Sequence, residues 1–248
     1  MTKAKTILVL GGTGEGMALA EALQAIPDIH IVSSLAGRVA NPKLPPGEVR
    51  IGGFGGAAGL AAYLRQNKVA ALIDATHPFA RRMGWNAAEA AAEAGIPLLR
   101  LERPAWSPQG GDRWIAVDDW GQAVDILRRS ARRVFLALGR QELAPFAALD
   151  GIHVVIRSVE APDASLRFAD AELVLARGPF KLDDERALLQ TRRIDHLVCK
   201  NSGGDATDAK LQAARELDIT VIMQRRPPRP DVPAVSSLAA ALDWVRAL

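Results

Sequence analysis

Three short polar stretches interrupt a chain built largely of apolar runs: LGGTGEG at 10–16, DATHPFARR at 74–82 and KNSGGDAT at 200–207. Each follows directly on an apolar run, so each reads as a loop at the carboxyl end of a β-strand. The first offers Gly11, Gly12, Thr13, Gly14 and Glu15. Glycine permits positive φ and lets another group approach the main chain closely. A helix that starts at such a turn presents N–H groups and its positive end to an anion, commonly a phosphate. Met17, Leu19, Ala20, Leu23 and Ile26 supply the apolar stripe of that helix, which stops before Pro27. Gly12 and Gly14 meet the first two positions of the G-x-G-x-x-G dinucleotide fingerprint, but position 17 is methionine, and no Gly-Lys-Ser/Thr follows to make a P-loop. A tight turn that binds nothing is the competing reading.

The segment IHIVSSLAGR, 29–38, has no Asp or Glu between Asp28 and Glu48. An acid near this point would hold the ribose 2′-OH of NAD, whereas an arginine accommodates a 2′-phosphate. Ser33, Ser34 and Arg38 therefore favour NADP. In DATHPFARR, Thr76 and His77 sit in the loop and Pro78 suits the turn into the next helix. Histidine can donate hydrogen bonds or a proton near neutral pH, though a capping or packing role is equally open to it. His30, His153 and His196 lie in or beside strands and read as structural. In KNSGGDAT, Lys200 ends a strand, and Asn201, Ser202 and Gly203 shape an anion-receiving nest, with Asp205 as a cap for the helix beyond. Arg140 and Arg177 again lie just past strands. Several such cations would receive a polycarboxylate, each arginine offering a bidentate fork.

Other chemistries are set aside. Tyr63 is the only tyrosine and Asn67, not lysine, follows four residues later, so the Tyr-x-x-x-Lys pair is absent. There is no G-x-S-x-G elbow. The lone Cys199 lies inside an apolar strand, and no Cys/His cluster has zinc spacing, so no metal is expected. A net charge of +3 with 5% aromatics and scattered arginines suits a small anion better than a nucleic acid. No apolar run reaches membrane-spanning length, and the chain enters a strand at once, which points to a cytoplasmic protein with no membrane partner.

The elements that must hold these loops alternate. Strands are predicted at 5–10, 29–34, 48–52, 70–75 and 97–101, with helices near 15–25, 57–66 and 81–94. The second half repeats the plan, with strands at 114–117, 133–138, 152–156, 172–176, 196–200 and 219–223, and helices at 120–130, 141–148, 183–192, 205–217 and 236–247. Such alternation implies parallel sheets. An internal correspondence supports two similar halves: aligned from the Arg-Pro that ends each, Glu93 falls on Glu216, Ile96 on Ile219 and Arg103 on Arg226. The expected fold is α/β, two Rossmann-like domains with parallel sheets and a cleft between them. The linker PAWSPQGGDR at 104–113 places the domains at 1–108, for the nucleotide, and 109–248, for the substrate, with terminal strands free to pair across domains.

Taken together, LGGTGEG, SLAGR (34–38), DATHPFA, RLERPAW (100–106), ARGPF (176–180) and KNSGG with its following AK and AAR (200–215) resemble the precorrin-6A reductase family of cobalamin (vitamin B12) biosynthesis. The resemblance runs along nearly the whole chain. The family's first motif often has the form GGTxE, which fits the missing third glycine. In place of the family's usual small polar residue after DATHPFA, this chain has Gly84-Trp85 before Asn86. The resemblance implies an oxidoreductase acting on a CH–CH bond with NADP as acceptor: NADPH-dependent reduction of one double bond of precorrin-6A, giving precorrin-6B. The cofactor would lie on Gly11 to Glu15, Ser33, Ser34, Arg38 and Thr76; the anionic tetrapyrrole on His77, Arg140, Arg177, Lys200, Asn201, Ser202 and Gly203. His77 and Lys200 are the candidates for positioning or proton supply. Neighbouring enzymes of the pathway are candidate partners. Two rivals stay open: another NADP-dependent reductase of a small anionic substrate, and a nucleotide-sensing protein with no chemistry.

Overall fold

The computed structural model describes residues 4–37 and 43–248. It divides into two compact units, Met1–Pro104 with Pro227–Leu248, and Ala105–Arg226. Each is a six-stranded sheet in which every strand pair is parallel.

In the first unit the chain runs β1 (Lys5–Leu10), α1 (Gly14–Leu23), β2 (Ile29–Leu35), β3 (Glu48–Ile51), α2 (Ala57–Gln66), β4 (Val69–Asp74), α3 (Arg81–Ala94) and β5 (Leu98–Leu101). The second unit comprises β6 (Trp114–Val117), α4 (Trp120–Ser130), β7 (Arg133–Leu136), β8 (His153–Ser158), β9 (Ala171–Leu175), α5 (Leu182–Thr191), β10 (His196–Lys200), α6 (Ala209–Glu216) and β11 (Thr220–Gln224). The chain then adds β12 (Ala234–Val235) and α7 (Leu238–Arg246) to the first unit. The sheet orders are β12-β5-β4-β1-β2-β3 and β6-β11-β10-β7-β8-β9. The two sheets have the same plan, with β12 and β6 in the same sixth place. Strand β6 and helix α4 thus open the second unit, and only the last strand and helix, β12 and α7, cross back to the first sheet. This corrects the expected second domain of 109–248: Arg100 N donates to Pro233 O at 2.8 Å, and Glu102 N to Val235 O at 3.0 Å, fixing the returning segment beside β5. A two-residue strand leaves no periodic signal, and β12 was not foreseen.

The strands are apolar on both faces because helices cover both. Ile7, Val9 and Ile73 pack with Leu19 and Leu23 of α1 and Ala241 and Val245 of α7. Leu8, Leu10 and Leu72 pack on the other face with Leu60 and Leu64 of α2 and the alanines of α3. Helix α3 buries only Gly84, Ala87, Ala90 and Ala91, small residues that permit close approach, and it ends at Gly95 with φ +68°. Helix α4 is capped by Asp119, whose Oδ1 accepts from Gln122 N at 2.9 Å. Two predicted helices come out differently. Residues 141–148 form short 3₁₀ turns, Arg140–Glu142 and Ala144–Ala148. Pro145 has no N–H for the ladder, which stops an α-helix there. Residues 205–217 split into a 3₁₀ turn, Asp205–Thr207, and α6, so Asp205 does not cap α6.

Candidate active site

In the first unit the strand order reverses between β1 and β4, where ligands of such sheets bind outside the carboxyl ends. The loops after these strands are tied together. Thr13 caps α1, its Oγ1 accepting from Gly16 N at 3.1 Å and donating to Ala75 O at 2.7 Å. Gly11 N donates to Ser34 O at 2.9 Å, which holds the turn against β2. Gly12 takes φ +102°, and a Cβ on Gly12 or Gly14 would meet nothing within 4 Å. Main chain is thus open to a ligand at both. The close-packing glycine is Gly16, where a Cβ would lie 3.3 Å from Gly11 Cα and 3.4 Å from Ala75 Cβ. Reading the fingerprint at position 17 missed it by one residue. Glu15, in the first turn of α1, is paired with Arg103 at 2.7 Å, so its charge is balanced where an anion would sit.

The loop after β4 is equally bound. Asp74 Oδ1 accepts from Thr76 N at 3.0 Å and from Thr76 Oγ1 at 2.6 Å. Asp74 Oδ2 pairs with Arg229 Nη2 at 2.5 Å, both side chains being at least nine-tenths buried. The Arg229 Nη1 also donates to His77 O and Pro78 O, each at 3.3 Å. The His77 Nδ1 accepts from Phe79 N at 3.2 Å, so neutral His77 carries its proton on Nε2. Asp74, Arg103 and Arg229 were not anticipated. The first closes an apolar strand and the last lies far along the chain, in a proline-rich run between the last predicted strand and helix.

Two of the expected cofactor residues lie in β2. Ser33 and Ser34 are 1% and 6% exposed, inside the strand between β1 and β3. Both side chains are buried within the sheet. Arg38 lies outside the described residues.

In the second unit the corresponding reversal falls between β7 and β10. Lys200, the last residue of β10, pairs with Glu142 at 2.8 Å, and Arg140 with Glu160 at 2.7 Å. Arg177 follows β9 and is exposed. Across the carboxyl edge of β10, β7 and β8 cations therefore stand paired with acids. Two of the cations expected at this edge thus stand beside a glutamate. Asn201 is also committed: its Oδ1 accepts from Trp106 N at 2.8 Å and its Nδ2 donates to Trp106 O at 2.9 Å, so the amide holds main chain rather than standing open to a ligand. Arg226 donates to Asn201 O at 2.9 Å and to Ser202 O at 3.0 Å. Gly203 and Gly204 take φ +69° and +75°, which a side chain would resist.

Beneath this loop lies a buried polar layer. Arg157 and Glu185 pair through both guanidinium nitrogens, and Arg157 stacks on Phe180 at 3.7 Å. Lys210 sits 4.6 Å from the Trp106 ring and donates to Thr207 O. Burial pushes the Lys210 amine down and the Cys199 thiol up. The other three histidines are paired away from the loops: His30 with Glu48, His153 with Asp170, His196 with Asp195 and Ser130.

The comparison with known proteins decides the family. The model of the Precorrin-6x reductase CbiJ/CobK family matches residues 6–246. The chain belongs to that family. A precorrin-6A reductase from Rhodococcus erythropolis is 51% identical over 243 residues, covering 98% of each chain. A solved structure of CobK precorrin-6A reductase superposes with a TM-score of 0.91 at 43% identity, covering 98% of this chain and 96% of that one. A cobalt-precorrin-6A reductase from Priestia megaterium is 28% identical over 232 residues, covering 89% of this chain and 90% of that one. The expected precorrin-6A reductase of cobalamin biosynthesis stands, and with it an oxidoreductase of a tetrapyrrole on an α/β fold of two Rossmann-like units. Among the described residues no helix is long and apolar enough to cross a membrane.

Proposed function

We propose that the chain reduces one double bond of metal-free precorrin-6A to give precorrin-6B, with NADPH as the reductant. The first unit takes the nucleotide and the second the substrate. One observation carries the assignment of halves. At the strand reversal of the first unit, open glycine main chain leads into the N-terminus of a capped ten-residue helix. At the reversal of the second, Pro145 leaves only 3₁₀ turns, and Arg140, Glu142 and Lys200 occupy the edge. The first arrangement suits a pyrophosphate and the second a ring edged with carboxylates. The higher identity to relatives named for precorrin-6A than to the relative named for its cobalt form supports the metal-free substrate.

In this reading Gly12 and Gly14 give their N–H groups to the pyrophosphate, the α1 N-terminus adds its dipole, and Arg103 keeps Glu15 from repelling the anion. Thr76 borders the same site. Ser33 and Ser34 shape β2 from inside, which leaves the 2′-phosphate to Arg38. The bound cofactor supplies the hydride. His77, protonated on Nε2, orients the macrocycle as a hydrogen-bond donor; the carbon next to the hydride acceptor takes its proton from solvent. Lys200, Arg140 and Arg177 receive peripheral carboxylates, Lys200 and Arg140 by exchange with Glu142 and Glu160. Ser202 and Gly203 offer main chain to the same edge. Holding donor and acceptor carbons about 3–3.5 Å apart is the larger part of the catalysis.

The test is turnover of purified protein with precorrin-6A or its cobalt form, each with NADPH or NADH. Oxidation of NADPH in step with a product that gains a hydride and a proton is expected, with precorrin-6A preferred. Equal rates with NADH, or preference for the cobalt form, would sink the corresponding part.

A further inference from the structure

We propose that Arg229 is the positioning residue of the 74–80 loop, fixing the His77 main chain and through it the orientation of the imidazole. The proposal rests on the reading of His77 as the donor that orients the substrate.

Arg229 comes from the segment that returns to the first unit, far in sequence from the loop it holds. Its guanidinium meets the Asp74 carboxylate and two successive carbonyls, His77 O and Pro78 O. Glu102 Oε2 lies 3.8 Å from the same Nη1. The planar fork can satisfy a carboxylate and two carbonyls together, which a lysine ammonium on a flexible stem cannot reproduce. Those contacts bracket the residues that set the imidazole. Ala80 N donates to His77 O at 2.7 Å, and Phe79 N donates to Nδ1, so a shift of the 77–78 carbonyls moves the group that selects the tautomer.

Gly84 is the second half of the device. A Cβ at this position would come 2.8 Å from Arg229 Nε, 2.9 Å from Cζ and 3.0 Å from Nη2. Gly84 has helical backbone within α3, where glycine costs about 0.5–1 kcal/mol relative to alanine. Room for the guanidinium explains why the chain carries glycine there.

The experiment uses the full-length protein and two variants, Arg229→Gln and Gly84→Ala, with Arg229→Lys as the conservative control. Imidazole ¹⁵N spectra are read alongside kinetics; with only four histidines, His77 is assignable by His77→Asn. Arg229→Gln is expected to replace the single Nε2–H tautomer of His77 by a mixture. The kcat for precorrin-6A should fall about tenfold to a hundredfold, as for a reacting group displaced by roughly 1 Å. NADPH affinity, measured by fluorescence titration, should change by less than kcat, because the open main chain of Gly12 and Gly14 is untouched and only Thr76, held by Asp74, adjoins the altered pair. Gly84→Ala is expected to move the same readouts in the same direction by less, and Arg229→Lys to recover them only in part. An unchanged His77 tautomer in both Arg229→Gln and Gly84→Ala would overturn the proposal, as would a wild-type kcat in Arg229→Gln where His77→Asn lowers it. If Arg229→Gln does not fold, Gly84→Ala decides by the same criteria. Retention of kcat by His77→Asn would instead remove His77 from the reaction, while the imidazole spectra still decide what Arg229 holds.

Discussion

The loops after β4 and β10 occupy equivalent places in two sheets of one plan, yet carry opposite charge at the strand end. Asp74 closes β4 and Lys200 closes β10. Both loops have two successive carbonyls gripped by an arginine: His77 and Pro78 by Arg229, Asn201 and Ser202 by Arg226. The grips have different origins. Arg226 follows β11 within its own half, and its counterpart in the repeat, Arg103, has gone to Glu15 instead. The first unit recruits Arg229 from the returning segment to fill that place. The same device is thus built twice, around a buried acid in one unit and a part-exposed base in the other. Burial decides which is structural capital and which is available to a ligand.

The strongest test of that contrast is stability. Asp74 and Arg229 are 4% and 8% exposed, so Asp74→Asn leaves the buried guanidinium only the longer carboxylate contact, to Glu102 at 3.8 Å. Breaking a buried pair from one side costs about 3–5 kcal/mol. Lys200→Met, at a pair 18% and 26% exposed, should cost under about 1 kcal/mol. Chemical denaturation of both variants checks this. Similar losses would show that the two strand ends do not differ in kind.

Gly14→Ala sharpens the assignment of the nucleotide to the first unit. Gly14 has no positive φ, and an added Cβ meets nothing in the protein, so folding should be unchanged. A methyl group between main chain and phosphate would cost one charge-assisted hydrogen bond, about 1.5–3 kcal/mol. NADPH should bind about 10- to 150-fold more weakly by titration. Gly16→Ala should instead lower the melting temperature, because its Cβ presses on Gly11 and Ala75. Unchanged NADPH affinity in Gly14→Ala would place the pyrophosphate elsewhere.

Arg226→Gln probes the other grip. Losing the donors to Asn201 O and Ser202 O should loosen the 201–204 loop and raise the KM for precorrin-6A about tenfold, the equivalent of about 1.4 kcal/mol. The Kd for NADPH should hold. A change in NADPH affinity with an untouched KM would reverse the assignment of the halves.

Much of this was legible from sequence for a physical reason. Parallel strands covered on both faces read as apolar runs, and a loop at their carboxyl ends reads as the polar gap between run and helix. Thr13, His77 and Lys200 were visible on that account. What stayed hidden is long-range pairing. Asp74–Arg229, Arg103–Glu15 and Asn201–Trp106 join residues whose neighbours in sequence carry no trace of the partner. Whether the last strand crosses was left open likewise, since a strand's own pattern does not say which sheet it joins; β6 stays in the second half as expected and β12 returns to the first sheet. Reading cations without their counter-ions followed from the same blindness: Glu142 and Glu160 are ordinary surface acids until the sheet sets them beside Lys200 and Arg140.

Those counter-ions give the smallest expected effect and the finest test of the charged edge. If a substrate carboxylate must displace Glu142 from Lys200, then Glu142→Gln removes a competitor while leaving an isosteric side chain. The KM for precorrin-6A should fall, not rise, by about two- to fivefold, because a partly exposed pair is worth under about 1 kcal/mol. The mirror variant Lys200→Met should raise KM by a comparable factor. Added salt should shrink both differences, since the Debye length is already about 10 Å at 0.1 M. NADPH affinity should not respond to either change. A rise of KM in Glu142→Gln would mean that the glutamate holds Lys200 in its binding position rather than competing for it. The acids of this edge would then be a scaffold for the cations, not members of exchangeable ion pairs.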